Sequence, residues 1–228
     1  MNGHIAVAID GPSGAGKSSL ARKAAARLGY IYVDTGAIYR TVGLAADRAG
    51  IDTHDEDAVR ALLPTLAIRM GYNAAGEQCM TLNGEDVSTA IRQPKISMVA
   101  SNVSAMPSVR AFLLEMQRKM AREHDVIMDG RDIGTVVLPE AEVKIFLTAS
   151  PEARAQRRML ELEQKGMPQP YEDVLREILA RDEQDTNRVI SPLCQAEDAV
   201  LLDTSDIGFE ESLDRLCAVI AAQLEKRA

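Results

Sequence analysis

Short apolar runs, each bounded by turn residues, recur along the chain at intervals wide enough to hold a helix. They are rich in Val and Ile, and they cover residues 5–9, 30–33, 126–128, 143–147 and 199–202. Continuous apolar runs of this length are typical of strands that are buried on both faces of a parallel sheet. The pattern therefore predicts a core sheet of parallel strands.

The stretches between these runs carry apolar residues at the spacing of an amphipathic helix. The clearest cases are residues 17–28, 107–123 and 209–224. Strands that alternate with helices predict an α/β fold of the doubly wound type, in which helices flank the parallel sheet.

One segment changes from a helical period to a period of two. Residues 67–88 alternate in this way and contain Asn83-Gly84, a pair that favours a tight hairpin turn. We interpret the segment as a small antiparallel sheet. Together with the residues just before it, this sheet predicts an inserted subdomain at residues 63–88. The core would then be formed by residues 1–62 and 89–228.

A second insertion is predicted at about residues 150–170. Ser150-Pro151 favours the start of a helix, and Gly166 and two prolines favour its end. A short helix held between such breakers predicts a lid over the core.

Composition narrows the function. The 228 residues carry a net charge of −8, which is unsuited to a polymer of nucleic acid but allows one small anion to bind where arginines converge. The three cysteines are widely spaced, which predicts reduced thiols rather than disulfides or a zinc site. No apolar run is long enough for a membrane span, and we expect no signal peptide before the first strand. We expect a cytoplasmic monomer.

A phosphate-binding loop follows the first predicted strand. Its residues match G-x-x-x-x-G-K-[ST] and are Gly11, Pro12, Ser13, Gly14, Ala15, Gly16, Lys17 and Ser18. The glycines let backbone amides and the next helix N-terminus face an anion, while Lys17 can reach the phosphates and Ser18 can hold Mg²⁺. A glycine-rich turn without a ligand is the alternative. The loop predicts binding of a nucleoside triphosphate without fixing the reaction.

Polar residues also follow the second and third strands, where the carboxyl ends of a parallel sheet form a ligand crevice. Arg40 could clamp a phosphate there, or it could be a solvent-facing arginine behind a capped helix start. Asp129 could accept water bound to Mg²⁺, or it could cap the next turn. Arg131 and Asp132 lie where a second substrate would bind.

Arg181, Asp185 and Arg188 are spaced by four and three residues, so a helix would carry them on one face. They could form an anion site or a surface ladder of salt bridges. The predicted lid helix holds a comparable cluster on one face, formed by Arg154, Arg157 and Arg158. That cluster could be a solvated face or could reach a transferring phosphoryl group when the lid closes.

Taken together, these motifs resemble the bacterial cytidylate kinases. The specific elements are D-T-G-A-I-Y-R at residues 34–40, D-G-R-D-I-G-T at residues 129–135 and R-D-x-x-D-x-N-R at residues 181–188. The resemblance covers nearly the whole chain, and the insertion is similar to the extra nucleotide-binding segment of that family. It implies a P-loop kinase that uses ATP and Mg²⁺ to phosphorylate CMP or dCMP.

The resemblance also implies a role for each matching position. The ATP phosphates would lie against Gly11, Pro12, Ser13, Gly14, Ala15, Gly16, Lys17, Ser18 and Ser19, with Ser18 as the metal ligand. The acceptor nucleotide would contact Thr35, Arg40, Arg131 and Arg188 near its phosphate, Ser101, Arg110 and Asp132 at the cytosine, and Arg181 and Asp185 at the sugar. Tyr39 would also belong to the CMP site. Catalysis would involve Lys17, Arg131 and the lid arginines Arg157 and Arg158.

The expected reaction is in-line transfer of the γ-phosphoryl group of ATP to the phosphate of CMP. Because this acceptor is already anionic, positioning and charge stabilisation matter more than a general base. Two alternatives remain open: a kinase of the same architecture that acts on another small acid such as shikimate, and a nucleotide-dependent switch protein. The chain lacks the N-K-x-D motif of GTP-binding switches.

Overall fold

The computed structural model describes residues 3–164 and 166–227, so Lys165 of the predicted lid lies outside the described residues. The strands are β1 (Ala6–Asp10), β2 (Ile31–Asp34), β3 (Ile68–Tyr72), β4 (Gln78–Leu82), β5 (Glu85–Asp86), β6 (Val126–Gly130), β7 (Val143–Thr148) and β8 (Val200–Asp203). The α-helices are α1 (Lys17–Leu28), α2 (Thr35–Arg48), α3 (Glu56–Leu62), α4 (Pro94–Ser104), α5 (Pro107–Glu123), α6 (Pro151–Gln164), α7 (Tyr171–Thr186) and α8 (Phe209–Glu225).

The predicted core sheet is confirmed. It has five strands in the order β2-β6-β1-β7-β8, and β1 pairs in parallel with both β6 and β7. All five residues of β1 are buried, as the continuous apolar run predicts. Buried side chains of β1 and β7 pack with those of α1 and α8, including Leu20 and Leu216, in one apolar core.

The predicted antiparallel sheet is also confirmed, with strand order β3-β4-β5. Asn83 and Gly84 connect β4 to β5 with φ angles of 51° and 88°, the left-handed conformation that the turn requires. The chain divides into two compact units, which we call the sheet unit (residues 1–32 and 123–228) and the insert unit (residues 33–122). The narrower boundaries at residues 63 and 88 stay a prediction.

Helices α6 and α7 of the sheet unit pack together around a small apolar cluster that includes Leu162 and Ile178. The predicted cap is confirmed, because the Ser150 hydroxyl oxygen accepts a hydrogen bond from the Ala153 amide at 3.1 Å. One expectation was wrong: α7 ends at Thr186, so Arg188 lies beyond the helix rather than on its face. In the described ranges, no helix is long and apolar enough to cross a membrane.

Candidate active site

The phosphate loop joins β1 to α1 in the sheet unit. Gly11 has a φ of 147°, and a Cβ atom there would lie 1.9 Å from the Leu147 carbonyl oxygen, so only glycine fits this close approach. Gly16 has a φ of 88° and directly precedes α1, whose N-terminus receives no side-chain cap from the described residues. The helix amides thus remain available to an anion.

Lys17 is buried at the start of α1. Its ammonium group donates to the Pro12 carbonyl oxygen at 2.6 Å, so the side chain folds back over the loop. Burial, and then the charge of Arg131, lower the pKa of Lys17 well below its usual value, while Asp129 and Asp10 oppose this shift. A bound phosphate would add the negative charge that favours the protonated lysine.

Ser18 and Asp129 are held together at the carboxyl edge of the sheet. The Ser18 hydroxyl donates to one Asp129 carboxylate oxygen at 2.8 Å, and the Tyr32 hydroxyl donates to the other at 2.8 Å. A hydroxyl beside a buried carboxylate fits Mg²⁺, which prefers oxygen ligands and keeps several waters. Ser19 is exposed and makes no such pair in the described structure, which favours Ser18 as the ligand.

Asp10, the last residue of β1, is a site residue that the sequence reasoning missed. Its carboxylate accepts hydrogen bonds from the consecutive amides of Ile133 and Gly134 at 2.8 and 2.7 Å. These amides directly follow Asp132 in a π-helical turn, Ile133–Val137. Asp10 thus holds the turn that carries the D-G-R-D motif. Burial raises the pKa of Asp10 to about 6.

Two of the predicted site residues, Arg131 and Arg188, bond a third, Asp185. Its carboxylate accepts from Arg131 Nε at 2.8 Å through one oxygen and from Arg188 through the other. Burial raises the pKa of Asp185, but the charges of Arg131 and Arg188 outweigh this effect, and Arg181 contributes in the same direction, so the pKa lies below its usual value. Because Asp185 is only 1% exposed, the surface-ladder interpretation is wrong.

The arginines of α6 occupy three different environments. Arg154 is buried and pairs with Asp182 of α7. Arg157 is half-buried and donates to the Thr204 carbonyl oxygen in the loop after β8. Arg158 is exposed and pairs with Glu161 on its own helix at 2.9 Å. The three arginines thus share one helix but differ in exposure and in partners, and Arg157 and Arg158 bond residues outside the phosphate loop.

In the insert unit, Asp34 organises the start of α2. Its side chain caps Ala37 at 2.9 Å and pairs with Arg40 at 2.8 Å. The Arg40 side chain is half-buried, and its Nε finds no partner among the described residues. Arg40 is therefore not the solvent-facing arginine of the alternative. Gln78 of β4, which the sequence reasoning missed, bonds both the amide and the carbonyl of Asp34.

The insert unit also brings Arg110 to Tyr39. The guanidinium carbon of Arg110 lies 5.7 Å from the centre of the Tyr39 ring, and Nη1 donates to the Ser104 carbonyl oxygen at 3.0 Å. These contacts fix the direction of the guanidinium group. Thr35 is buried in the first turn of α2, and Ser101 is half-buried in α4.

A model of the cytidylate kinase family matches residues 7–222. A cytidylate kinase from Syntrophotalea carbinolica is 49% identical over 221 residues, covering 97% of this chain and 94% of the relative. One from Geobacter sulfurreducens is 50% identical over 216 residues, covering 95% and 92%. The chain belongs to the cytidylate kinase family.

Family membership confirms the resemblance inferred from the motifs, and the matched residues include the phosphate loop and all three motifs. An uncharacterised protein from Eubacterium ventriosum has a crystal structure of related fold, with a TM-score of 0.54 and 11% identity, covering 96% of this chain and 99% of that one. That likeness concerns the fold alone. The kinase of another acid and the switch protein are not favoured by these matches.

Proposed function

We propose that the chain transfers the γ-phosphoryl group of ATP to CMP or dCMP, giving ADP and CDP or dCDP. The observation that carries the proposal is the cluster of Lys17, Arg131 and Arg188 in the sheet unit, in which the lysine is buried and the two arginines are partly buried. These cations interact with the carboxylate of Asp185. Cations held at the edge of a parallel sheet suit phosphate groups, and two of them lie outside the phosphate loop, as a second phosphate requires.

On the ATP side, residues 11–19 would wrap the phosphates. Amides of the loop and of the first turn of α1 donate to phosphate oxygens, and Lys17 exchanges its bond to Pro12 for the β- and γ-phosphates. Ser18 would ligate Mg²⁺ directly, and Asp129 would accept from its bound water. The metal would supply neutralisation of the phosphate charge.

On the acceptor side, the residues that match the motifs of the family would contact CMP. Thr35, Tyr39, Arg40, Ser101 and Arg110 belong to the insert unit, and Arg131, Asp132, Arg181, Asp185 and Arg188 belong to the sheet unit. Arg40 is pre-oriented by Asp34 and still offers its Nε, which supports a role at the acceptor phosphate. The Asp132 carboxylate can accept a hydrogen bond from the amino group of cytosine. Uracil has a carbonyl oxygen at that position, which cannot donate a hydrogen bond to the carboxylate.

The protein residues would act mainly through position and charge. The acceptor phosphate needs no deprotonation, so Arg131 and Arg188 aim its oxygen while Lys17 stabilises charge on the transferred group. Arg157 and Arg158 are assigned to the lid. Each would have to leave its present partner, Thr204 or Glu161, to reach a phosphate.

A coupled assay that measures ADP formation from ATP tests the proposal directly. The acceptors are CMP, dCMP, UMP, AMP and shikimate, with a reaction that lacks acceptor as the control. We expect turnover with CMP and dCMP far above that with the others. Preference for shikimate would indicate another small-acid kinase, and equal ADP release without any acceptor would indicate a nucleotide-hydrolysing switch.

A further inference from the structure

Arg154 makes an unusual set of contacts for a lid arginine. It lies in the first turn of α6 and is 2% exposed. Its Nε donates to the Ala149 carbonyl oxygen at 2.9 Å, and its Nη1 donates to the Ser13 carbonyl oxygen of the phosphate loop at 3.0 Å. Together with its bonds to Asp182, these contacts commit every nitrogen of the guanidinium group to the protein.

Asp182 completes this arrangement from α7. Its carboxylate accepts from Arg154 through both oxygens, at 2.9 and 2.5 Å, in the planar geometry that suits a guanidinium group. A bidentate pair fixes the rotation of the arginine fork as well as its position. Helices α6 and α7 therefore hold a nitrogen donor at one defined point of the phosphate loop.

The contact with Ser13 orients a peptide that matters for anion binding. In a trans peptide, the carbonyl of Ser13 and the amide of Gly14 point in opposite directions, and the described chain contains no cis peptide. A carbonyl held by Arg154 therefore turns the Gly14 amide away from Arg154. Gly14 has a φ of 76°, and a glycine at this position can adopt other backbone conformations more readily than other residues. The orientation of the Ser13–Gly14 peptide therefore has to be held by a contact from outside the loop.

We propose that Arg154, locked by Asp182, is a positioning residue that fixes the Ser13–Gly14 peptide for binding of the ATP phosphates. It rests on the proposed function, since it assigns part of the same nucleotide site. In this arrangement Arg154 does not contact the transferred phosphoryl group. Helices α6 and α7 instead act on the phosphate loop through the Ser13 carbonyl.

Asp182→Asn separates this role from a simple effect of charge. The substitution removes a negative charge near the loop, so electrostatics alone would tighten binding of ADP and ATP. Loss of the bidentate lock would weaken binding, because one oxygen acceptor becomes an amide donor that faces the guanidinium group. Arg154→Lys is the second variant, since it keeps the positive charge but cannot reach Ser13 and Asp182 as a fork.

A matched control lies on the same helix. Arg176 and Asp173 of α7 form an exposed ion pair at 2.9 Å, so Asp173→Asn removes an equivalent charge from a pair at the protein surface. The readouts are the Kd of ADP by calorimetry, the KM of ATP and of CMP, and the thermal unfolding curve. Calorimetry with ADP needs no acceptor, so it tests the inference even where turnover on CMP fails.

We expect Arg154→Lys and Asp182→Asn to raise the Kd of ADP and the KM of ATP about tenfold, because each variant loses one charge-assisted hydrogen bond. The KM of CMP should stay within about twofold of the wild-type value. Asp173→Asn should match the wild type in all three constants. Tighter ADP binding in Asp182→Asn would overturn the inference in favour of charge alone. Unchanged ADP binding with a lower Tm would make the pair purely structural, and equal weakening of ATP and CMP would also overturn it. If Arg154→Lys fails to fold, the Asp182→Asn result decides.

Discussion

Replacing Asp10 by asparagine should change how the stability of the protein depends on pH. Asp10 is buried at the end of β1, and burial raises its pKa from 3.8 to about 6. An aspartate whose pKa rises on folding favours its neutral form in the native state. Its contribution to stability is therefore complete below about pH 4 and is lost as the pH rises through about 6. An asparagine side chain cannot ionise, so the variant lacks this loss.

The size of the effect follows from the shift. A difference of about two pH units, at about 1.4 kcal/mol each, gives roughly 3 kcal/mol between acid and neutral pH. The amide of asparagine can satisfy only one of the two backbone donors whose hydrogen bonds Asp10 now accepts, Ile133 and Gly134. That loss costs about 1–3 kcal/mol, but it is the same at every pH and drops out of the comparison.

Urea unfolding at several values between about pH 4 and pH 7.5 measures the effect, since other titrating groups are shared by both proteins and cancel in the difference. The free energy of unfolding of Asp10→Asn, relative to wild type, should rise by roughly 2–3 kcal/mol across this range. Asp173→Asn, which removes an exposed carboxylate on α7, serves as the control substitution. A constant difference between Asp10→Asn and wild type would refute a raised pKa at Asp10.

Three further substitutions and one segment test the proposed site. Lys17→Ala should abolish phosphoryl transfer and leave cooperative thermal unfolding intact; loss of that cooperativity would make Lys17 structural. Arg188→Ala should weaken CMP by roughly 1.5–3 kcal/mol and ATP far less, and separate titrations that show equal losses would contradict this. Asp132→Ala should lower kcat/KM for CMP more than for UMP, whereas an unchanged ratio would remove Asp132 from base recognition. Hydrogen exchange across residues 150–170 should slow when ATP and CMP are added; unchanged protection would exclude a closing lid.

The parts of the fold that the sequence predicted are those with an unbroken local pattern. The parallel strands were located to within a residue or two because each contains a continuous apolar run. The expected burial on both faces was wrong for β8, in which only Leu202 is buried. Helix α2 was not among the three helices that the apolar spacing made clearest, and the structure buries most of its residues from Thr35 to Ala46. The end of α7 was misplaced because the spacing of Arg181, Asp185 and Arg188 also fits a helix that continues.

The site residues that the sequence analysis missed differ in whether the sequence contained a signal for them. Asp10 carried a signal, since an ionisable residue at the end of an otherwise apolar strand and directly before the phosphate loop calls for a buried partner. Gln78 carried none, because a glutamine in an alternating strand is ordinary until the structure places it against Asp34. The Arg154–Asp182 pair joins residues separated by 28 positions, and no local pattern can specify such a pairing.

The charges of the sheet unit explain how an acidic protein can prepare a site for phosphate. Unpaired buried cations are costly, and Asp185 offsets that cost by pairing with Arg131 and Arg188 before any substrate arrives. The arginines are thereby held in direction, so little reorganisation is needed when a phosphate binds. Lys17 follows the same principle: nearby carboxylates oppose the fall in its pKa that burial causes, and added phosphate charge would oppose it further. The carboxylates among the cations thus set the geometry of the positive charge, and the bound phosphates would complete its neutralisation.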